Sequence, residues 1–292
     1  MSVQLPNPAS RISRRGFLIA AGASAAGLAL YAGEIGRHEI DVIERPISVR
    51  NLPDSFHGYR IVQISDIHFD EFTEPYFLRE VIRRVNALNP DVVLLTGDFV
   101  TVGAFTFVSG THAAYRCAEL LTTLTCPLRF AVLGNHDVGV GAHTVIDALQ
   151  SNGIPVLVNR HLPIERNGAR IWLSGVQDPG TSRPDLDLAI PNQPDAPVIL
   201  MAHEPDYALT IQQHPRAKFV DLILSGHSHG GQIRLPFLGP VVLPPLGRIY
   251  PEGHYHLDNM QLYVNRGIGT VGLPFRLNCP PEITVLTLNP QV

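Results

Sequence analysis

The sequence is poor in cysteine, lysine and charge, and each shortage excludes a class of protein. Three cysteines in 292 residues are too few for a disulfide framework, so Cys117, Cys126 and Cys279 are interpreted as core residues, with a Cys117–Cys126 disulfide left open. Lys218 is the single lysine, and no basic run is long enough to follow a nucleic-acid backbone, so nucleic-acid binding is not expected. Hydrophobic residues make up 45% and charged residues 16%, which excludes disorder for most of the chain.

The first 33 residues have the pattern of an export segment. Arg11, Arg14 and Arg15 precede an uncharged stretch at 16–33. A basic region before an apolar one is typical of an export signal, and paired arginines directly before it indicate the twin-arginine route. As a helix this stretch would span roughly 27 Å, close to a bilayer core, so it could also remain as a membrane anchor. We therefore predict recognition by the twin-arginine export machinery and a location in the periplasm or on the outer face of the cytoplasmic membrane. Cleavage is left open, and one domain is predicted over 34–292.

Five short apolar runs in that domain are each followed at once by polar residues. Such runs, rich in β-branched residues, indicate buried strands, and helical patterns between them predict strand–helix–strand units with largely parallel strands. In such sheets the ligand crevice lies beyond the carboxyl ends of the strands. We therefore expect the polar residues to converge on one site. They are Asp66, His68, Asp98, Asn135, His203, His227 and His229.

Apolar residues recur at helical spacing in three stretches, at 77–88, 114–124 and 145–149, and predict three amphipathic helices. Short strand patterns follow at 154–175, 261–264 and 282–286. From these we predict a second, mixed sheet packed on the first, with helices outside.

The converging residues suit metal chemistry. Seven nitrogen and oxygen ligands exceed the needs of one tetrahedral site and suit two neighbouring ions that share a carboxylate. Mixed imidazole and carboxylate ligands favour Mn, Fe, Zn or Co over Ca or Mg. Two ions about 3.5–4 Å apart can hydrolyse phosphate esters, holding a water that becomes hydroxide near neutral pH. The leaving alkoxide needs a proton, and His136 is placed to donate it, with Asp137 as a candidate to orient its ring.

Each motif alone has a simpler interpretation. Gly97-Asp98 is a turn signal, the residues at 134–137 suit a helix N-terminus, and His203 alone is more often a core histidine. The ordered set is specific, because polar groups at buried strand ends need partners.

These five blocks resemble the calcineurin-like metallophosphoesterase family, whose pattern is D-x-H, G-D, G-N-H-[DE], H and G-H-x-H in this order. The resemblance covers nearly all of the chain after residue 37 and implies an α/β fold, a four-layer αββα sandwich of two mixed sheets flanked by helices. It assigns one ion to Asp66, His68, Asp98 and His229. It assigns the other to Asp98, Asn135, His203 and His227, with Asp98 bridging and His136 as the acid or transition-state donor. The stretches 226–236, 262–267 and 281–283 are more narrowly similar to an exported bacterial branch of phosphodiesterases.

One departure from the family concerns His136. Many members continue the second block as G-D-x-x-D-R, and the second Asp orients the catalytic histidine. Here Asp98 is followed by Phe99, Val100 and Thr101. The partner of His136 is therefore left open between Asp137 and a backbone carbonyl.

The resemblance favours phosphodiesters as substrates. The alternatives are a phosphomonoesterase or nucleotidase, a pyrophosphatase of lipid-linked nucleotide sugars, and a non-catalytic envelope protein that keeps metals for stability. Arg266 and Arg276 are candidates for a phosphate clamp, with surface ion pairs as the alternative. The apolar, proline-rich stretch 235–246 is a candidate contact for an acyl chain or a membrane, with packing over the second sheet as the alternative.

Overall fold

Two mixed β-sheets form the centre of the fold. The computed structural model describes residues 13–69, 72–103 and 106–291, so residues 1–12, which include Arg11 of the predicted signal, lie outside the described residues. The strands are β1 (Asp41–Val49), β2 (Arg60–Ile64), β3 (Val92–Leu95), β4 (Arg129–Ala131), β5 (Arg160–Arg166), β6 (Ala169–Gly175), β7 (Val198–Met201), β8 (Val220–Ser225), β9 (Arg234–Leu235), β10 (Gly239–Pro240), β11 (Gly253–Leu257), β12 (Met260–Val264) and β13 (Glu282–Pro290). The α-helices are α1 (Arg14–Leu30), α2 (Pro75–Ala87), α3 (Thr106–Leu121), α4 (Asn135–Ser151), α5 (Leu186–Ala189) and α6 (Ala208–Gln213).

The first sheet has the order β1-β13-β2-β3-β4 and the second the order β11-β12-β8-β7-β6-β5. In the first, β2, β3 and β4 are parallel to one another, and β13 is antiparallel to β2. In the second, β6, β7, β8 and β12 are parallel, and the outer strands β5 and β11 are antiparallel to their neighbours. The carboxyl ends of the parallel strands therefore share one edge in each sheet.

Three apolar layers hold the sheets and helices together. Along β3 the side chains alternate: Val93 and Leu95 pack towards helices α2–α4, whereas Val92 and Leu94 pack between the two sheets. A third cluster lies between the second sheet and helices α5 and α6. Both faces of the inner strands are thus buried, which explains their continuous apolar runs. The predicted four-layer αββα sandwich is confirmed.

The predicted helices correspond to α2, α3 and α4, although α4 begins ten residues before the apolar stripe, at Asn135. One strand assignment was wrong. The stretch 282–286, expected in the second sheet, belongs to β13, which lies between β1 and β2 of the first. Its partner strands are far away in sequence, so its local pattern does not specify the sheet. Cys117, Cys126 and Cys279 are free and buried, as expected of core residues.

The N-terminal helix α1 has no buried residue and continues into a π-helical turn, Tyr31–Gly36. Within the part of the chain that the structure describes, Arg14–Gly36 is the one helix long and apolar enough to cross a membrane, a test that signal sequences also pass. Ala32 and Gly33 at its end are buried against the domain, so the predicted boundary at residue 33 falls inside this contact.

Candidate metal centre

The seven predicted ligand residues lie just beyond the carboxyl ends of β2, β3, β4, β7 and β8. In each of three groups the possible ligand atoms lie within 4.8 Å of one another: Asp66 with His68 and His229, Asp98 with His203 and His227, and His68 with Asp98 and His136. Asn135 and His136 open helix α4 beside them. The expected convergence of five distant segments is present in the structure.

Acidic and imidazole groups face each other at short distances in this cluster. The Oδ2 atom of Asp98 lies 3.2 Å from Nε2 of His203 and 3.6 Å from Nε2 of His68. The Oδ1 atom of Asp66 lies 3.4 Å from Nε2 of His229. The Nε2 atoms of His68 and His229 are 3.0 Å apart. The cluster is therefore continuous, with Asp98 between its two halves.

Five of the ligand residues have backbone angles in the left-handed region, which non-glycine residues adopt at a cost. They are Asp66, His68, Asp98, His227 and His229, with φ between 45° and 68°. Such angles turn the chain sharply at the end of a strand and direct each side chain into the common pocket. Strain concentrated in this way is typical of functional sites.

Two motif glycines allow the ligands to approach. A Cβ atom on Gly134 would collide with Oδ1 of Asp98 and lie 2.6 Å from Nε2 of His203. A Cβ atom on Gly226 would collide with Ser65 and Asp66. The glycines therefore make room for the donor atoms.

Backbone groups hold both carboxylates in place. The His227 N–H donates to both oxygens of Asp66 at 3.0 Å. The His136 N–H, in the first turn of α4, donates to Oδ1 of Asp98 at 2.9 Å. The Oδ2 atom of Asp98 is thereby left facing the imidazoles.

The orientation of His203 leaves its Nε2 atom available for a metal ion. Its Nδ1 lies 2.6 Å from the carbonyl oxygen of Thr96, and because a carbonyl can only accept, Nδ1 carries the proton. Loss of the second ring proton would therefore free a lone pair on Nε2, and that buried atom has no hydrogen-bond partner among the described residues. The Oδ1 atom of Asn135 is buried and unpartnered in the same way. A bound ion would satisfy buried atoms that offer lone pairs and lack a hydrogen-bond partner, so the residues present fit divalent metals.

The charges of the site also favour a bound cation. Burial alone would lower the pKa of His203, but the Asp98 and Asp66 carboxylates outweigh it and raise that pKa well above its usual value. Burial alone would raise the pKa of Asp98, but the neighbouring His203 and His68 hold it well below the usual range. Burial lowers the pKa values of His68 and His229, which keeps these rings neutral. The raised pKa means that His203 holds a proton next to the ionised carboxylates when no metal is bound, whereas His68 and His229 are neutral. The site therefore favours a cation, and a metal ion would take the place of that proton.

The partner of His136 differs from both candidates that the sequence offered. The Val102 N–H donates to Nδ1 of His136 at 3.0 Å, so the neutral ring carries its proton on Nε2. Asp137 does not orient the ring. Its carboxylate accepts from the backbone N–H groups of Phe99 and Gly134 and fixes the start of α4 to the loop after β3. Burial raises the pKa of Asp137 to about 8.

Neither predicted clamp arginine lines the cavity, although Nη2 of Arg276 lies 3.3 Å from Nδ1 of the candidate ligand His229. Arg276 is fully buried, and its guanidinium donates to the carbonyl groups of Arg266, Gly267, Gly269 and Cys279. Arg266 pairs with Glu282 at 2.6 Å and with Asp41 at 3.2 Å. Both guanidinium groups are therefore committed to the protein rather than to a substrate.

Several groups that orient the candidate ligands were not predicted from the sequence. The Thr101 hydroxyl lies 3.1 Å from Nδ1 of His68, and the Pro245 carbonyl lies 2.8 Å from Nε2 of His227. Backbone carbonyls have no sequence signal, so they could not have been predicted. Thr101 follows Asp98 by three residues, but threonine at such a position is common and carries little information.

A cavity of about 400 Å³ opens beside the cluster. One wall consists of polar groups of the centre, Asp98, Asn135, His136, His227 and His229. The rest of the lining is largely apolar and includes Ile233, Val241, Val242 and Leu273. The space beside the candidate ligands therefore suits a molecule with a polar and an apolar part.

Comparison with known proteins agrees with this geometry. The family model for calcineurin-like phosphoesterases matches residues 59–231. The chain is 36% identical to an uncharacterised metallophosphoesterase of Bacillus subtilis, YkuE, over 95% of this chain and 98% of that protein. It is 31% identical to the Escherichia coli phosphodiesterase YaeI, over 80% and 84%. It is also 31% identical to the UDP-2,3-diacylglucosamine pyrophosphatase LpxG of Chlamydia trachomatis, over 81% and 86%.

Proposed function

Because this chain belongs to the calcineurin-like metallophosphoesterase family and is a hydrolase of phosphoester bonds, we propose that it is specifically a two-metal phosphodiesterase acting outside the cytoplasm. The supporting observation is the His203–Asp98–Asn135 arrangement. The Nε2 atom of a buried imidazole and an unpartnered amide oxygen stand beside an ionised carboxylate, and a divalent ion satisfies all three.

One ion would be held by Asp66, His68, Asp98 and His229, and the other by Asp98, Asn135, His203 and His227. Asp98 would be the shared ligand, because its carboxylate lies close to His68 in one half of the cluster and to His203 in the other. Two divalent ions supply Lewis-acid polarisation of the phosphoryl group and an activated water at neutral pH. Imidazole and carboxylate donors make Mn, Fe, Zn or Co the expected metals.

His136 acts on the leaving group in this proposal. Its Nε2 carries the proton, because Nδ1 accepts from the Val102 N–H, and the side chain lines the cavity. An N–H directed into the cavity can donate to the departing alkoxide or to a phosphoryl oxygen that gains charge in the transition state. The hydrogen bond from the Val102 N–H thus keeps the proton of the neutral ring on Nε2.

The apolar wall favours a diester over a small monoester. A second ester group next to phosphorus would lie against Val241 and Val242, whereas a monoester would leave this wall exposed to water. Hydrolysis of a pyrophosphate is the second candidate. The specific observation for it is the identity of 31% to a protein named as a UDP-2,3-diacylglucosamine pyrophosphatase.

Export is part of the same proposal. Arg14 and Arg15 lie at the start of the exposed apolar helix that ends at Gly36. This order of a paired-arginine start and an apolar helix supports the twin-arginine machinery as a partner and a membrane-proximal location, with the helix as signal or anchor.

The test compares two esters with one leaving group. Methyl 4-nitrophenyl phosphate is the diester and 4-nitrophenyl phosphate the monoester. We expect faster release of 4-nitrophenolate from the diester, loss of activity on chelation, and recovery with Mn or Zn. Faster hydrolysis of the monoester would assign a phosphomonoesterase instead. A metal-loaded protein that hydrolyses neither ester, nor a nucleoside diphosphate ester, would contradict catalysis altogether.

A further inference from the structure

Five large apolar side chains project from the β9–β10 hairpin and its flank, and together they form what we name the apolar rim: Leu235, Phe237, Leu238, Val241 and Val242. Phe237 is fully exposed, and Leu238 and Val242 are 79% and 72% exposed. The stretch from Leu235 to Leu246 contains no charged residue. A contiguous exposed apolar patch of this kind marks an interaction surface.

The apolar rim continues into the wall of the metal-site cavity. Val241 and Val242 belong to both. The hairpin is held to the segment 271–277, because the Gln232 side chain donates to the carbonyls of Val271 and Leu273, and the Arg234 N–H donates to Leu277. An apolar group on the rim therefore lies along a continuous surface that leads to the candidate ligands.

The same segment joins the rim to the N-terminal helix. The Arg276 N–H donates to the carbonyl of Ala32 at 3.0 Å, and Gly33 packs against the ring of Phe275. Arg37, just after the helix, donates to Glu74 at 2.5 Å and ties this end of the helix to the domain. The helix that could cross a membrane and the exposed hairpin are thus anchored on one short stretch of chain.

Resting on the proposed function, we propose that the apolar rim contacts the lipid bilayer and that the metal centre takes phosphoesters of membrane amphiphiles. The phosphoryl group of such a substrate lies at the metal ligands, and its acyl chain lies along Val241, Val242 and the rim. The oxygen of a water molecule, which gives up a proton, bonds to phosphorus. The bond from phosphorus to the leaving oxygen breaks, and that oxygen takes up a proton, as in the soluble reaction. The bilayer is the occupant that matches an uncharged, proline-stiffened surface beside an apolar helix, because burial in acyl chains removes exposed apolar area from water.

The first experiment asks whether the rim enters the bilayer. Trp172 is the single tryptophan of the chain, so a Phe237→Trp, Trp172→Phe variant carries one probe on the rim, and the unaltered protein carries one on β6. Both full-length chains are reconstituted in phosphatidylcholine vesicles, with and without bromine on the acyl chains. We expect brominated lipid to quench and vesicles to blue-shift the emission of the rim probe, and to leave Trp172 unchanged. Equal behaviour of the two probes would overturn the contact with the bilayer. A change in the emission of the rim probe that is caused by a second copy of the chain, and not by lipid, would also overturn it.

The second experiment asks whether the rim selects the substrate. Phe237→Asp, Leu238→Asp is compared with the unaltered chain on dodecyl 4-nitrophenyl phosphate in vesicles and on soluble methyl 4-nitrophenyl phosphate. We expect at least about a tenfold lower rate on the dodecyl ester and an unchanged rate on the methyl ester, because charges would replace two apolar side chains that the proposal buries in lipid. Leu188→Asp, at a 61% exposed site on α5, is the matched control and should change neither rate.

The outcomes separate the two proposals. Equal loss on both esters, or no loss on either, would overturn the role of the rim while leaving hydrolysis intact. Absence of hydrolysis in every variant would overturn the proposed function, and the fluorescence result would still decide whether the rim contacts lipid.

Discussion

Substitution of Asp98 by asparagine should abolish turnover while it changes the shape of the site little. The amide has the size of the carboxylate and can still accept from the His136 N–H through its oxygen. It removes the negative charge from the group that lies 3.2 Å from His203 and 3.6 Å from His68, at the junction of the two half-sites. The carboxylate of Asp98 and one unit of charge on a bound cation about 4 Å away interact by about 4 kcal/mol at an effective dielectric constant of about 20. This corresponds to about a thousandfold in rate, and two divalent ions would raise the effect.

The assay is the turnover number on methyl 4-nitrophenyl phosphate at saturating Mn, with metal content measured by elemental analysis. Asp221→Asn is the matched control. Asp221 is also a buried carboxylate, paired with Arg50 at 3.0 Å, but it lies near the amino end of β8, away from the centre. We expect the control to lower stability and to leave turnover per folded molecule unchanged. If the turnover number of Asp98→Asn lies within about threefold of the wild-type value, the shared-ligand argument is refuted, because loss of about 4 kcal/mol would lower it far more.

Three further predictions concern the donor, the ions and the export segment. His136→Ala should lower turnover by about 10²–10⁴ and leave metal content unchanged, because its Nε2–H serves the leaving group; loss of both metals would make it a ligand instead. Chelation should lower the melting temperature by about 5–10 °C per ion, since an ion at about 100 times its dissociation constant adds about 2.7 kcal/mol; scanning calorimetry measures this, and an unchanged transition would argue against resident ions. Replacing both Arg14 and Arg15 by lysine should retain the protein in the cytoplasm, as followed by cell fractionation; normal export would exclude the twin-arginine route.

The strand-end positions of the ligand residues could be predicted from the sequence because each motif directly follows a short apolar run. In parallel strands that pattern specifies both burial and direction, and direction specifies the edge at which the side chains meet. Asp66 after β2 and Asp98 after β3 are examples, and their positive φ angles are the local consequence of turning at a strand end. The long apolar helix α1 could also be predicted from the sequence, because its length and lack of charge are properties of the local sequence.

The errors concern interactions between segments that are distant in sequence. Asp137 follows His136 directly, yet helix geometry directs its carboxylate towards Phe99 and Gly134 instead. Arg276 resembled an anion clamp, but the loop around it places four backbone carbonyls against its guanidinium. In both cases the competing partners are backbone groups, which every residue carries and which no sequence pattern marks.

The position of the centre between two sheets accounts for the expected link between metal and stability. Asp66, His68, Asp98 and Asn135 follow strands of the first sheet, and His203, His227 and His229 follow strands of the second. In the proposed assignment each ion therefore binds ligands from both sheets and ties them together. The protein itself already makes one such link, because the buried Gln63 amide on β2 donates to Thr96 and, across the sheets, to the carbonyl of Ser225 at 2.9 Å. The candidate metal ligands would thus also connect the two sheets at the edge where the parallel strands end. Loss of an ion should therefore loosen the contact between the sheets before it disturbs either sheet alone.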